Sequence, residues 1–500
     1  MKKYDDIVVG SGISGLTLAL LLGLNGHRVL LLEKNPHIGG ALTRFYREGI
    51  PFDTGFHFTG GFYKNGIFHD MLTVLGIRDY IQPIFFSDEQ CNQFVFESEQ
   101  VVCDMPPGVQ TLKKKLKGYF PGEHSAIDRY FDMAKNVHTR TVSIDLSKIS
   151  LSPNFLDEDF ISLNDVLDQL TGNRLLKGLL SGFSMCYGVK PAEVSFANHS
   201  RVCFNMYESV ARVKDGGEAF IRIFQQRFAE LDIEVMCGRY ITDCVDIQDG
   251  YVGRFILNTG EEVTGDHCIL TIHPQEILKL LPKKHLRKAF INRVSAFEPS
   301  AGFFSVFGIM GAGSSGGNFD HSIVSLFPTS DVNQLLDPGY TGLPALVIIK
   351  SRETVNGKSY QIVNAFEPSF PEHVVAWKDS KVGIRPPEYQ DYKKQRVDSI
   401  TKRIIGFYPE HRDSFKVMDA ASILTFRDYL HSPYGSAYGI KQKVGQHNLL
   451  GKLRLRNIYV AGQSSVLPGL VGAMISSFIV WRSIVGKEIY SRFIKQRLCN

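Results

Sequence analysis

The sequence predicts an α/β fold, with a parallel sheet begun by a strand–turn–helix–strand unit and an α+β domain inserted farther along the chain. Three observations predict it. The apolar run Asp6-Ile7-Val8-Val9 stops at the glycine-rich turn GSGISG, and a helix-like apolar run from Leu16 to Leu24 follows. A second apolar run, Arg28 to Leu32, ends in the acid Glu33. A third, Asn457 to Ala461, meets another glycine-bounded turn near the C-terminus and reads as a further buried parallel strand.

Composition excludes several classes of protein. At 500 residues the chain can hold two or three substructures and bury a large ligand. With 44% hydrophobic and 21% charged residues and a mean hydropathy of -0.06, it is composed as a soluble globular protein rather than a bundle of membrane spans. A net charge of +5 and a pI of 8.6 are mild at this length. They fall short of the basic density of a nucleic-acid binder, though they allow weak attraction to anionic lipid. The cysteines are scattered, without a CxxC or a metal-ligand spacing, so reduced cytoplasmic thiols and no metal are expected. The apolar start is expected to be neither signal peptide nor membrane anchor. Asp5 and Asp6 precede it, Gly10, Gly12 and Gly15 interrupt it, and no A-x-A-like cleavage site follows.

As strand, turn and helix, the same residues form the GxGxxG fingerprint. Gly10 permits a tight turn, Gly12 leaves room for a pyrophosphate against the backbone, and Gly15 lets the helix pack on the strand. Ile13 and Ser14 then open a helix whose free N–H groups and positive dipole end face the phosphates. Glu33, followed by Lys34, lies about 20 residues on, where an acid would accept hydrogen bonds from both ribose hydroxyls. The fingerprint alone does not separate NAD from FAD. Gly39 and Gly40, with Ala41, Leu42, Thr43 and Arg44 behind them, would bring a second loop against the same pyrophosphate, which favours an enclosed FAD.

Toward the C-terminus, Asn457 to Ala461 predicts a buried parallel strand, Gly462-Gln463 a tight exit, and Gly469 the start of a helix. The N–H groups of Leu470, Val471 and Gly472 would point at the flavin pyrimidine oxygen. A fixed dipole there stabilises charge that builds when the flavin accepts a hydride.

These segments resemble the FAD-dependent oxidoreductases that include phytoene desaturases, carotenoid isomerases and retinol saturases, with amine oxidases more distant. The residues that carry the resemblance are GSGISG with Glu33, IGGALT, GIPFDTGFHFTGG (49–61), YFPGEHSAIDRYF (119–131), KDGGEAF (214–220), LTFRDYLHSPYGSAYGI (424–440) and NIYVAGQSSVLPGLVGAMISS (457–477). FDTGFHFTGG is most similar to the retinol-saturase branch. Ala41 departs from the pattern of amine oxidases, which have an arginine after the glycine doublet; a flavin contact made by that arginine is lost here or supplied by Arg44. The resemblance implies a Rossmann-like FAD-binding domain of the glutathione-reductase/amine-oxidase type with an inserted α+β substrate domain.

On that expectation, residues 1–90, 213–290 and 440–500 form the FAD-binding domain, and 91–212 and 291–439 the substrate-binding domain. Between Gly238 and Val263 the alternating pattern, with turns at Asp249-Gly250 and Thr259-Gly260, predicts an antiparallel meander. The resemblance places Val235 near the adenine. It also places Phe56, His57, Phe58, Tyr434 and Tyr438 near the flavin, where glycines beside aromatics permit close approach to a flat ring.

The chemistry implied is hydride transfer between flavin N5 and carbon, with a proton handled on the neighbouring carbon. His57 is the first candidate acid, on the expectation that its pKa lies near neutrality. Tyr438 is the second, and Arg44 is a candidate to hold flavin charge. The leading expectation is saturation or desaturation of carbon–carbon double bonds in an apolar isoprenoid, polyene or retinoid-like substrate. Redox-neutral cis–trans isomerisation and a non-catalytic lipid- or prenyl-chain binder on the same fold are the alternatives. NAD(P)H is a candidate electron donor. Oligomeric state is open. The basic amphipathic tail KEIYSRFIKQRL and the patch LKKKLK (112–117) are candidate contacts for a membrane surface, which makes the protein cytoplasmic with a peripheral association.

Overall fold

In the computed structural model, which describes residues 2–88, 91–151, 154–311 and 323–499, parallel pairing of the first apolar strands sets the architecture. Lys2–Val9 pairs with Val29–Glu33 on one side and Glu262–Leu270 on the other. All five residues of Val29–Glu33 are buried, as expected of a parallel strand covered on both faces. Glu234–Cys237 adds to its outer edge. The predicted meander follows as Ile241–Gln248, Tyr251–Leu257 and Glu262–Leu270, antiparallel, with Asp249, Gly250 and Gly260 at positive φ in the turns. Ile458–Val460 pairs in parallel with Glu262–Leu270 and completes an eight-stranded sheet.

The end of the chain then returns to its beginning. Helix Gly469–Val485 packs on helix Ile13–Gly23, where small side chains allow close approach, and the hydroxyls of Ser14 and Ser477 are 2.7 Å apart. The terminal helix Lys487–Leu498 turns Tyr490 and Ile494 inward against Trp481 and leaves Ile489 and Leu498 exposed. Its apolar stripe is therefore largely a core face. The LKKKLK patch is similar: Leu112 and Leu116 are buried, and Lys113 and Lys117 pair with Asp128 at 2.8 and 2.7 Å. Among the described residues no helix is long and apolar enough to cross a membrane.

A second, seven-stranded sheet includes Gly302–Met310, Lys358–Ser369, Leu346–Val355 and Asn92–Phe96. Strand alternation divides it. Phe304, Val306, Val363 and Ala365 pack under helix Pro387–Phe407, while Phe303, Phe307 and Phe366 point the other way, with Phe307 against Ile50 and Phe52. A small third sheet ties the parts together, with Val210–Val213 between Thr59–Gly60 and Pro83–Phe85. That strand straddles the domain boundary expected at residue 212. Behind it, helices His124–Arg140 and Phe196–Glu208 enclose a polar knot. His199 lies between the hydroxyls of Tyr187 at 2.7 Å and Tyr130 at 2.8 Å, and burial pushes its pKa down to about 3.

Candidate active site

The dinucleotide corner is built by close backbone contacts. A Cβ on Gly15 would stand 1.9 Å from the Gly10 carbonyl oxygen, so only glycine lets the helix start against the strand end. A Cβ on Gly12, by contrast, would meet no protein atom within 4 Å. The glycine doublet seats on this same point: Gly39 N–H donates to the Ser11 carbonyl at 3.1 Å, and a Cβ on Gly40 would lie 3.3 Å from Gly12 Cα. Leu42 is buried beneath the KDGGEAF helix, Thr43 Oγ1 donates to Gly40 O at 2.8 Å, and Ala41 is exposed beside Gly55. Ile13 is half-buried, Ser14 turns to Ser477, and Lys34 is exposed over the Tyr240 ring.

Glu33 is almost fully buried at the end of its strand. Its Oε2 accepts from the N–H and hydroxyl of Ser11 at 2.9 and 2.5 Å, and Oε1 accepts from Asn35 N–H at 2.7 Å. A carboxylate offers about four lone-pair sites, so the protein fills all but one. The expectation that Glu33 accepts from both ribose hydroxyls therefore narrows to one, on Oε1. Val235 lies on the edge strand in register with Leu31, half-buried next to this corner.

At the other end, Gly462 N–H donates to Ser476 Oγ at 2.8 Å, and the Gln463 carbonyl accepts from Gln442 at 3.1 Å. Helix Gly469–Val485 starts behind Pro468 with no side-chain cap. Leu470 and Val471 keep accessible surface, while Gly472 packs on the Leu467 carbonyl. An open cradle at Gly12, one free acceptor on Glu33 and an uncapped helix N-terminus fit an extended dinucleotide, with phosphates at the first helix and an electron-rich ring edge at the second. These residues fit FAD.

Beyond the cofactor cradle, aromatic side chains from distant segments meet. Phe56 packs edge-on against Phe220 in the core, and the next residue, His57, meets the second sheet. The His57 ring lies 4.8 Å from Phe366, Phe366 lies 6.0 Å from Phe303, and Phe303 lies 6.2 Å from Tyr438. Gly439 brings the end of this line to the exit turn, since a Cβ there would overlap Ser464 Oγ at 2.2 Å. His57, Phe303, Cys186 and Tyr438 each keep some accessible surface although protein surrounds them.

The expectation that His57 titrates near neutrality is corrected by its burial. Desolvation pushes its pKa down to about 4, with a small opposing pull from Asp53, and Nδ1 is buried without a partner among the described residues. The ring is therefore neutral at neutral pH. Burial also raises the Tyr438 phenol, which keeps its proton, and its hydroxyl has no protein partner among the described residues. Arg44 is turned elsewhere: Nε donates to Asp53 at 2.6 Å and Nη2 to Glu353 at 2.7 Å. Its burial opposes its charge, but these carboxylates outweigh burial and raise its pKa. Arg44 thus joins the Arg44–Arg47 strand to the second sheet, leaving Ala41 without a guanidinium substitute from this direction. Tyr434, expected beside Tyr438, is 51% exposed and faces outward.

Sequence reasoning missed Phe303, Phe366, Cys186 and Arg212. Their only local signal is strand alternation, which says that Phe303 and Phe366 share faces with other apolar residues and nothing about what they face.

Residues 8–73 match a family described as an NAD(P)-binding Rossmann-like domain. Over 546 residues the chain is 25% identical to an all-trans-retinol 13,14-reductase of Danio rerio, spanning 98% of this chain and 87% of that protein. It is 24% identical over 318 residues to a 4,4'-diapolycopene oxygenase of Methylomonas sp, spanning 60% of this chain and 62% of that one. In fold it is similar to the cyclohexylamine oxidase of Brevibacterium oxydans, with a TM-score of 0.62, 14% identity and 99% of each chain covered. The chain is thus similar from end to end in sequence to the retinol 13,14-reductase, over part of its length to the diapolycopene oxygenase, and in fold to amine oxidases.

Proposed function

We propose that this chain is an FAD-dependent oxidoreductase that reduces carbon–carbon double bonds of an apolar polyene of the retinoid or isoprenoid kind. The observation that carries this reading is the aromatic line from His57 through Phe366 and Phe303 to Tyr438, beside the exit turn and the uncapped helix at Gly469. FAD, when bound, supplies the hydride. The chain's own residues do the rest. Gly12, Gly40 and Glu33 hold the dinucleotide, and the N–H groups of Leu470, Val471 and Gly472 favour negative charge at the ring edge they meet. The aromatic faces orient a flat apolar chain and exclude water. Neutral His57 offers a hydrogen bond, and Tyr438 holds a proton at a hydroxyl left unpaired among the described residues.

The test is anaerobic turnover of the flavin-loaded protein, with NAD(P)H as proposed donor and dithionite as control, against polyenes read by product mass. A gain of two hydrogens supports reduction. An unchanged mass with a new isomer points to isomerisation, and failure to hold FAD after reconstitution sinks the reading. For a substrate drawn from a bilayer, exposed Ile489 and Leu498 among their basic neighbours offer the contact. Replacing both with Glu should abolish co-sedimentation with anionic liposomes while keeping the Tyr490–Trp481 packing that deletion of the tail would remove.

A further inference from the structure

Strand Val210–Val213 carries a cation with no assigned task. Ala211 and Val213 face the core that contains Phe220 and Phe224, so alternation turns Arg212 the other way. Its guanidinium lies deep in the protein but keeps accessible surface, and among the described residues it makes no hydrogen bond or ion pair. Asp53 and Glu353 lie near enough to balance its charge at a distance, yet both bond to Arg44, at 2.6 and 2.7 Å. The charge is therefore tolerated while its N–H donors are left free. On one side Arg212 is close enough to act on the ring of His57. On the other, its cross-strand partner Ile84 is 48% exposed, as is the next residue, Phe85. A free guanidinium between an open apolar rim and the aromatic interior matches an amphiphile, a long apolar chain that ends in an oxyanion.

We propose that Arg212 binds the carboxylate end of an apolar substrate and so decides which end of the chain stops near the rim and which reaches the interior. The inference rests on the polyene-reductase reading above. A guanidinium presents two parallel N–H groups that match the two oxygens of a carboxylate, a geometry that neither a hydroxyl nor a hydrocarbon end satisfies. The neutral imidazole of His57 adds no second positive charge there, so specificity for an anion falls to Arg212.

The experiment uses the flavin-loaded protein and two probes of equal chain length, a polyene carboxylic acid and the corresponding hydrocarbon, with binding read from the change in flavin absorbance. Arg212→Leu should weaken the acid about 10- to 100-fold, leave the hydrocarbon within about 2-fold and leave FAD content unchanged. Arg212→Lys keeps the charge but loses the fork, and should weaken the acid about 10-fold with the hydrocarbon again unaffected; it decides the matter if the leucine variant does not fold. Unchanged acid affinity in both variants overturns the inference while hydrocarbon binding leaves the polyene reading in force. Equal loss of both probes, or loss of FAD from the lysine variant, also overturns it, since Arg212 would then serve the fold or the cofactor. If the wild-type protein binds neither probe, the polyene reading fails and the inference with it.

Discussion

The imidazole of His57 lies 4.8 Å from the ring of Phe366 at an interplanar angle of 54°, and through that contact the FDTGFHFTGG segment meets the second sheet. The same burial that makes this contact removes the charge from the imidazole.

Because the His57 pKa is pushed down to about 4, the profile of kcat/KM against pH should show no inflection from this residue between about pH 5 and 8. His57→Phe should lower kcat by less than about 10-fold, whereas Tyr438→Phe, which removes an unpaired hydroxyl, should lower it by about 100-fold. Steady-state kinetics over that range check both. An inflection near neutrality that vanishes in His57→Phe would restore the imidazole as the acid.

Gly12 and Gly15 should separate cofactor binding from folding. An alanine methyl at position 12 meets no protein atom, whereas at position 15 it would stand 1.9 Å from a backbone oxygen. Gly12→Ala should keep the apoprotein melting temperature and weaken FAD by more than about 10-fold, since the cradle is filled. Gly15→Ala should be poorly folded. Thermal melts and FAD titration distinguish the two, and a Gly12→Ala protein with normal FAD affinity would place the pyrophosphate elsewhere.

The Arg44 pair with Asp53 and Glu353 should be structural. Arg44 is 4% exposed at its side chain, so Arg44→Ala leaves two carboxylates without their hydrogen-bonded partner and should cost about 3–5 kcal/mol in denaturant unfolding. Glu353→Gln, at the more accessible end, should cost less. If Arg44→Ala instead retains stability and alters the flavin spectrum, its role lies with the cofactor.

Asp6 predicts a pH window of stability. Burial would raise its carboxyl, but hydrogen bonds from His267 and His27, at 2.9 and 2.5 Å, outweigh this and hold its pKa below the ordinary 3.8. The bond to Asp6 in turn holds His27 above the ordinary 6.5, against the effect of burial. The Asp6 contribution is present above 3.8 and lost as pH falls through its lowered value. The His27 contribution is full below 6.5 and lost as pH rises through its raised value. Asp6→Asn should therefore lose most against wild type between pH 3.8 and 6.5, with the gap narrowing outside that window. Melting temperatures across the range check this; a constant gap would mean that the cluster does not titrate as described.

What could be read from sequence was what is local. Strand, GSGISG turn, helix and Glu33 follow one another within a short stretch, so their spacing specifies the crossover. The meander was equally legible, because Asp249-Gly250 and Gly260 carry the backbone conformations its turns need. Arg44 shows the limit. Nothing near it in sequence announces Glu353, yet that residue helps decide that the guanidinium is held in the domain junction. The use of Glu33 was legible in kind but not in capacity, because the turn's own Ser11 and Asn35 fill most of its lone pairs.

By itself the sequence determined the strand–turn–helix–strand cradle and the meander, since glycine spacing and apolar periodicity act through contacts between near neighbours. Only the tertiary structure decided that His57 is neutral, that Arg44 is an ion-paired tie and that Phe303 and Phe366 meet in one aromatic line. Solvation and charge pairing depend on which distant segments surround a side chain, and that arrangement exists only once the two sheets have packed.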